Sequence, residues 1–172
     1  MDAVRIQSQR SNMNPVERVK QALNAFGLDP ELVQELPADT STAEAAARAV
    51  QAPQGAIVKS LIFLADGTPM LVLVAGEQRA DLKRLRAMLG LSKRRLRIAQ
   101  PTQVLELTGF EVGGVPPLGH KEPMRTLIDI TLARFEPVWA AAGSANAVFP
   151  IAFEQLVIVT GGEVVDLAET GE

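Results

Sequence analysis

The sequence predicts an α+β fold in which helices surround a mostly antiparallel or barrel-like sheet. Three observations predict it. Capped helical patterns and β-rich apolar runs mix along the chain without regular alternation, which argues against a doubly wound parallel sheet. Two apolar runs joined by Asp66-Gly67 form a hairpin with almost no polar face, so both strands belong to a core sheet. The chain has 172 residues, 47% hydrophobic and 22% charged. That length fits one domain, burying about 70% of the unfolded surface.

The elements follow in order. Asn14, Pro15 and Glu17 mark a helix start, as N-cap, first helical residue and third. Val16, Val19, Leu23 and Phe26 then recur at helical spacing, and Gly27 closes the helix. Ser41-Thr42-Ala43-Glu44 is a second capping box, opening a short Ala-rich helix to about Val50. Residues 56–64 and 69–74 are the hairpin strands. Residues 81–89 form an amphipathic helix stopped by Gly90, and 101–107 a short helix closed by Gly109. A loop rich in glycine and proline runs from Gly113 to His120. Strands are expected over 126–131, 137–142 and 148–151, a helix over 153–160 and a closing strand over 164–167. Residues 1–13 read as a flexible tail ahead of a single domain, 14–172. The first dozen residues are polar and lack the apolar core of a signal peptide. No apolar run approaches the ~20 residues that span a bilayer. A soluble, cytoplasmic protein without membrane association is expected.

Composition excludes several chemistries. There is no cysteine and only one histidine, so disulfides, cysteine-ligated metals and histidine-rich zinc sites are ruled out. No G-x-S-x-G elbow accompanies any serine, which removes the usual frame for a Ser-His-Asp triad around His120. Residues 55–60 are superficially similar to a phosphate loop but lack the glycine directly before Lys59. The net charge of −3 hides an asymmetry. Residues 77–97 hold eight basic side chains against Glu77 and Asp81, so the rest of the chain carries −9. Such a basic segment is either a solvated helix face or a landing site for phosphates, with Arg94, Arg95 and Arg97 at its end.

Lys59 is the most informative residue. It interrupts an apolar strand, and lysine is rarely buried without a partner. Either it is the outward member of an alternating strand, or its ammonium lines a pocket and meets an anion or an ester carbonyl. The Gly113–His120 loop and Gly143-Ser144 can present fixed backbone N–H and C=O groups to a ligand. A lone histidine such as His120 is more often a loop hydrogen-bonder than a catalyst.

Taken together, these segments resemble the YbaK/ProX aminoacyl-tRNA editing family, in order, from about Gly55 to Leu167. The carriers are Ala56-Ile57-Val58-Lys59-Ser60-Leu61, the loop with Gly113 and Pro117 as its fixed members, the apolar run ending in Gly143-Ser144, and residues 156–167. The resemblance implies a mixed, partly barrel-like central sheet. It implies hydrolysis of mischarged tRNA, often tRNA for proline carrying alanine, cysteine or another small residue. Catalytic roles fall to Lys59, Ser60, Gly143 and Ser144. Substrate contacts fall to Gly113, Gly114, Pro117, Gly119 and His120, and tRNA contacts to Arg94, Arg95 and Arg97. No metal and no cofactor are expected. The partners implied are aminoacyl-tRNA and a prolyl-tRNA synthetase. Ser60 stands where family members vary, so the amino acid removed is left open. A non-catalytic tRNA- or synthetase-binding module of the same fold is the alternative, and an unrelated small-ligand domain is a third reading.

Overall fold

A computed structural model describes residues 13–37 and 40–169. The expected tail over 1–13 lies outside the described residues except for Met13. Five α-helices are described: α1 (Pro15–Ala25), α2 (Ala43–Val50), α3 (Leu82–Leu89), α4 (Pro101–Thr108) and α5 (Phe153–Thr160). The strands are β1 (Gln34–Glu35), β2 (Val58–Ala65), β3 (Thr68–Ala75), β4 (Leu96–Ile98), β5 (Arg125–Asp129), β6 (Val138–Ala141), β7 (Ala147–Ile151) and β8 (Glu163–Val165).

Local chemistry sets the helix ends. The Asn14 side chain accepts from Val16 N at 2.9 Å, Thr42 from Ala45 N at 3.1 Å, and Asp81 from Lys83 N at 3.0 Å. Gly90, Gly109 and Gly161 end α3, α4 and α5 in the left-handed region.

The larger sheet is mixed, as the resemblance implies, and the smaller one is antiparallel. A five-stranded sheet has the order β4-β2-β3-β5-β8, antiparallel on the β4 side and parallel from β3 to β8. A three-stranded antiparallel sheet has the order β1-β7-β6. One parallel bridge, Ile57 to Trp139, joins them, and neither sheet closes on itself.

The β2–β3 hairpin is the centre of the molecule. Val58, Ile62 and Leu64 of β2, with Leu71 and Leu73 of β3, enter the larger core with α1, β6, β7 and α5. Phe63, Met70, Val72 and Val74 enter a second core against Leu85 of α3 and Leu96. Alternation therefore sends even-numbered β2 residues to one face and odd-numbered ones to the other. Each fully buried leucine here contributes about 1.5–3 kcal/mol of transfer free energy.

Three expectations are corrected. The strand expected over 126–131 ends at Asp129, because the Asp129 carboxylate accepts from Thr131 N at 3.1 Å and turns the chain into a 3₁₀ segment, Ile130–Arg134. The closing strand spans Glu163–Val165, not 164–167. Leu167 N and Ala168 N instead donate to Asp129 Oδ1, at 2.7 and 3.0 Å. Two short edge strands, β1 and β4, were not expected at all.

Candidate functional site

Ile57, the residue before β2, bridges to Trp139 of β6, and no ladder continues between the two strands beyond it. The gap is a cleft of about 220 Å³. Lys59, Ser60 and Leu61 border it from β2, and Ala141 from β6. Thr40 to Ala43 and Ala46 border it from the start of α2, and Gly113, Val115 and Ala145 from two loops. The walls are small and largely apolar, and the N-terminal end of α2 brings a field that favours negative charge.

Lys59 and Ser60 reach this cleft from opposite faces of β2, which is possible because the strand edge between them carries no neighbouring strand. The Lys59 Nζ donates to the main-chain oxygen of Gln78. Burial holds its pKa below the ordinary lysine value. Arg79 pushes it the same way, and Glu77 opposes. Ser60 Oγ is buried and has no hydrogen-bond partner among the described residues. An unpaired buried hydroxyl costs about 1–3 kcal/mol.

The two glycine loops are packed backbone against backbone. Gly143 N donates to Gly114 O at 2.9 Å. A Cβ on Gly114 would lie 2.7 Å from Ser144 Cα, and one on Gly143, whose φ is +100°, 2.7 Å from the carbonyl of Pro15. The start of α1 is therefore seated on the Gly143 loop. Ser144 Oγ donates to Asn146 Oδ1 at 2.8 Å, and Asn146 Nδ2 donates to Leu36 O at 3.3 Å.

Of the residues singled out from sequence, Lys59, Ser60 and Gly113 border the cleft. Gly114, Gly143 and Ser144 lie directly behind its wall. Pro117, Gly119 and His120 do not border it. Gly119 sits against Ala22 of α1, and His120 Nε2 lies 2.6 Å from Pro116 O with its ring edge-on to Phe110. His120 is thus a brace for the loop, and burial lowers its pKa. Arg18 continues the brace: its guanidinium donates to Gly109 O and lies 4.5 Å above the Phe110 ring.

Arg97 lies opposite Leu64 at the far end of β2, five residues or roughly 17 Å of strand from Lys59. Arg95 is paired with Asp66, Nε to Oδ1 at 2.9 Å. Arg94 and Arg97 are exposed and have no ion-pair partner among the described residues. No three histidine or acidic side chains converge on a metal position among the described residues.

Sequence reasoning missed Ala141, Trp139 and the start of α2 as parts of the site. The capping box located the helix start. Nothing in it reported that this start faces β2.

The site is a small cleft between the splayed edges of two sheets, next to a lysine, walled largely by alanines and backed by two glycine loops. Residues 37–158 match the aminoacyl-tRNA editing domain family, and the chain belongs to that family. It is 34% identical to the uncharacterised protein YwhH of Bacillus subtilis over 125 residues, 72% of this chain and 78% of that protein. It is 31% identical over 115 residues to the proline–tRNA ligase of Lactobacillus gasseri, covering 64% of this chain and only 20% of the ligase. Its fold matches a crystal structure described as that of a proposed trans-editing enzyme for prolyl-tRNA synthetase, with a TM-score of 0.85 and 42% identity over 92% of this chain and 99% of that one. The chain is thus a YbaK-type editing-domain protein, similar to the editing domains of prolyl-tRNA synthetases and tied to translation fidelity. Among the described residues no helix is long and apolar enough to cross a membrane.

Proposed function

We propose that the chain is a trans-acting deacylase that removes a small amino acid from mischarged tRNA, with tRNA for proline as the acceptor. The observation that carries this reading is the cleft itself: about 220 Å³, walled by alanines, and bordered by Lys59 and the Gly113 loop. The terminal phosphate approaches Lys59 and the start of α2. The Gly113–Pro117 loop holds the terminal adenosine, with His120 bracing it through Pro116 O. Ser60 positions the aminoacyl group, with the Gly143-Ser144 loop backing the cleft wall. Water then adds to the ester carbonyl carbon and the carbonyl oxygen becomes an oxyanion. As the bond to the ribose oxygen breaks, the water's proton passes to that oxygen, leaving free amino acid and a free hydroxyl on the tRNA. The ester is already activated, so positioning and oxyanion stabilisation supply the acceleration.

Selection is steric. Ala43, Ala46, Ala141, Ala145 and Ala147 leave room for a small side chain and crowd a larger one. Arg94, Arg95 and Arg97 contact the tRNA body away from the cleft, and a prolyl-tRNA synthetase is the natural source of the mischarged substrate. The test is incubation of the protein with alanyl-, cysteinyl-, seryl- and prolyl-tRNA while ester loss is followed. Clearance of small residues with prolyl-tRNA spared supports the reading. Binding without hydrolysis would instead mark an accessory module.

A further inference from the structure

We propose that the facing edges of β2 and β6 are themselves the recognition element for the aminoacyl group. Main-chain groups of Val58, Ser60 and Ala141 hold its ammonium and its ester, and no dedicated side chain does so. The proposal deepens the deacylase reading and rests on it.

Strand register fixes which groups point into the gap. In the hairpin, Leu64 lies opposite Pro69, which has no N–H, and Ala65 opposite Thr68 closes a two-residue turn. Odd-numbered β2 residues therefore exchange hydrogen bonds with β3, and even-numbered ones direct N–H and C=O the other way. Ala99 N donating to Ile62 O at 2.9 Å agrees with this phase. On that outer side β4 covers only Phe63 to Ala65. Val58 C=O and both main-chain groups of Ser60 lie beyond its reach.

The same reading applies to β6. Trp139 lies opposite Pro150, and Ala142 N donates to Ala147 O at 2.8 Å, so even-numbered residues bond β7. Trp139, Ala141 and Gly143 direct their groups toward β2, and Gly143 N does so onto Gly114 O. Continuing the Ile57–Trp139 register would seat Ala141 between Val58 and Ser60. The ladder stops there, and these residues border the cleft. The Gly114–Gly143 hydrogen bond anchors β6 to the loop and fills the place a longer β2 ladder would take.

Two open strand edges facing each other normally pair or attract another strand. An aminoacyl ester has the polar layout of one strand residue: a donor ammonium, a Cα and an acceptor carbonyl. Placed between the edges in that register, its ammonium donates to the carbonyl of Val58, on the same strand edge as the Ser60 N–H. Its ester oxygen accepts from the N–H groups of Ser60 and Ala141, which then face the oxyanion that forms when water adds. The amino acid side chain projects off the strand plane toward the alanine walls.

The test replaces the N–H groups. Ser60→Pro and Ala141→Pro remove donors that point into the gap while leaving the β2–β3 and β6–β7 hydrogen bonds intact, a setting in which edge proline is tolerated. Deacylation kcat/KM is compared with that of Ser60→Ala and Ala141→Gly, with thermal melts to establish folding. Each proline variant should lose at least about 100-fold more than its partner substitution, the scale of removing one oxyanion donor. Folded proline variants within about threefold of their partners would overturn the proposal. A second measurement uses the wild-type protein and does not depend on the variants. Lactyl-tRNA, with a hydroxyl in place of the amine, should be cleared at least about tenfold more slowly than alanyl-tRNA, because it cannot make the charge-assisted hydrogen bond. Equal rates would overturn the ammonium contact. If the wild type clears no aminoacyl-tRNA at all, the deacylase reading falls and this proposal falls with it. Clearance by the wild type with indifferent proline variants sinks this proposal alone.

Discussion

Gly143 and Gly114 join the two loops behind the cleft by one main-chain hydrogen bond of 2.9 Å, with no room between them for a side chain. Gly114→Ala should therefore destabilise by overpacking, by about 1–3 kcal/mol. Gly143→Ala adds the strain of a positive φ and a collision with Pro15, and should cost more. Gly161→Ala, at positive φ but in open space, supplies the conformational cost alone. Urea unfolding of the three variants separates the contributions. Equal losses would mean that the loop contact is unimportant.

Lys59 should be needed as a cation. Lys59→Ala is expected to lower kcat/KM by about tenfold or more, the scale of a charge-assisted hydrogen bond. Burial and Arg79 both lower its pKa, so its ammonium discharges at a lower pH than an ordinary lysine. Binding of deacylated tRNA, which carries the terminal phosphate but no aminoacyl ammonium, should consequently weaken on the alkaline side, below the ordinary lysine value of about 10.4. Lys59→Ala should abolish that limb. A limb unchanged in Lys59→Ala would assign it to another group.

His120 should make stability sensitive to mild acid. Its pKa in the folded chain is below the unfolded value of about 6.5, chiefly through burial. The unfolded chain therefore binds the proton first as pH falls. Stability from this residue is complete above about pH 6.5 and declines as pH drops toward the folded pKa. Melting temperatures at pH 7.5 and 5.5 should fall further for wild type than for His120→Gln. Parallel profiles would remove His120 from the pH response.

The basic strip should divide unevenly. Arg94 and Arg97 have no ion-pair partner among the described residues, whereas Arg95 is held by Asp66. Charge reversal at Arg94 and Arg97 should weaken tRNA binding. It should also lower the slope of log K against log salt by about 0.7–0.9 for each phosphate no longer neutralised. Arg95→Ala should have the smaller effect. An unchanged slope would free the strip from any role in binding tRNA.

Helix ends, the Asp66-Gly67 hairpin and the buried sheet were legible in the sequence because each depends on neighbours in the chain. Asn14, Thr42, Asp81 and the closing glycines act within one turn. β4, the three residues Leu96, Arg97 and Ile98, is too short for alternation to register, and β1 has two residues. The site was legible in part. Lys59 and Gly113 border the cleft, but Gly119 and His120 pack against α1 and Phe110, a placement set by tertiary packing. Ala141 was invisible because its proposed contribution is main chain, and an alanine in an apolar strand looks like any other. The parting of β2 from β6 depends on long-range pairing that no local pattern encodes.

The most direct measurement is the first-order loss of alanyl ester from tRNA for proline, with purified wild-type protein in excess, set beside prolyl-tRNA under the same conditions. Alanine should be released rapidly over the uncatalysed background and proline slowly. Alanine retained at the background rate, or proline released equally fast, would contradict the deacylase reading.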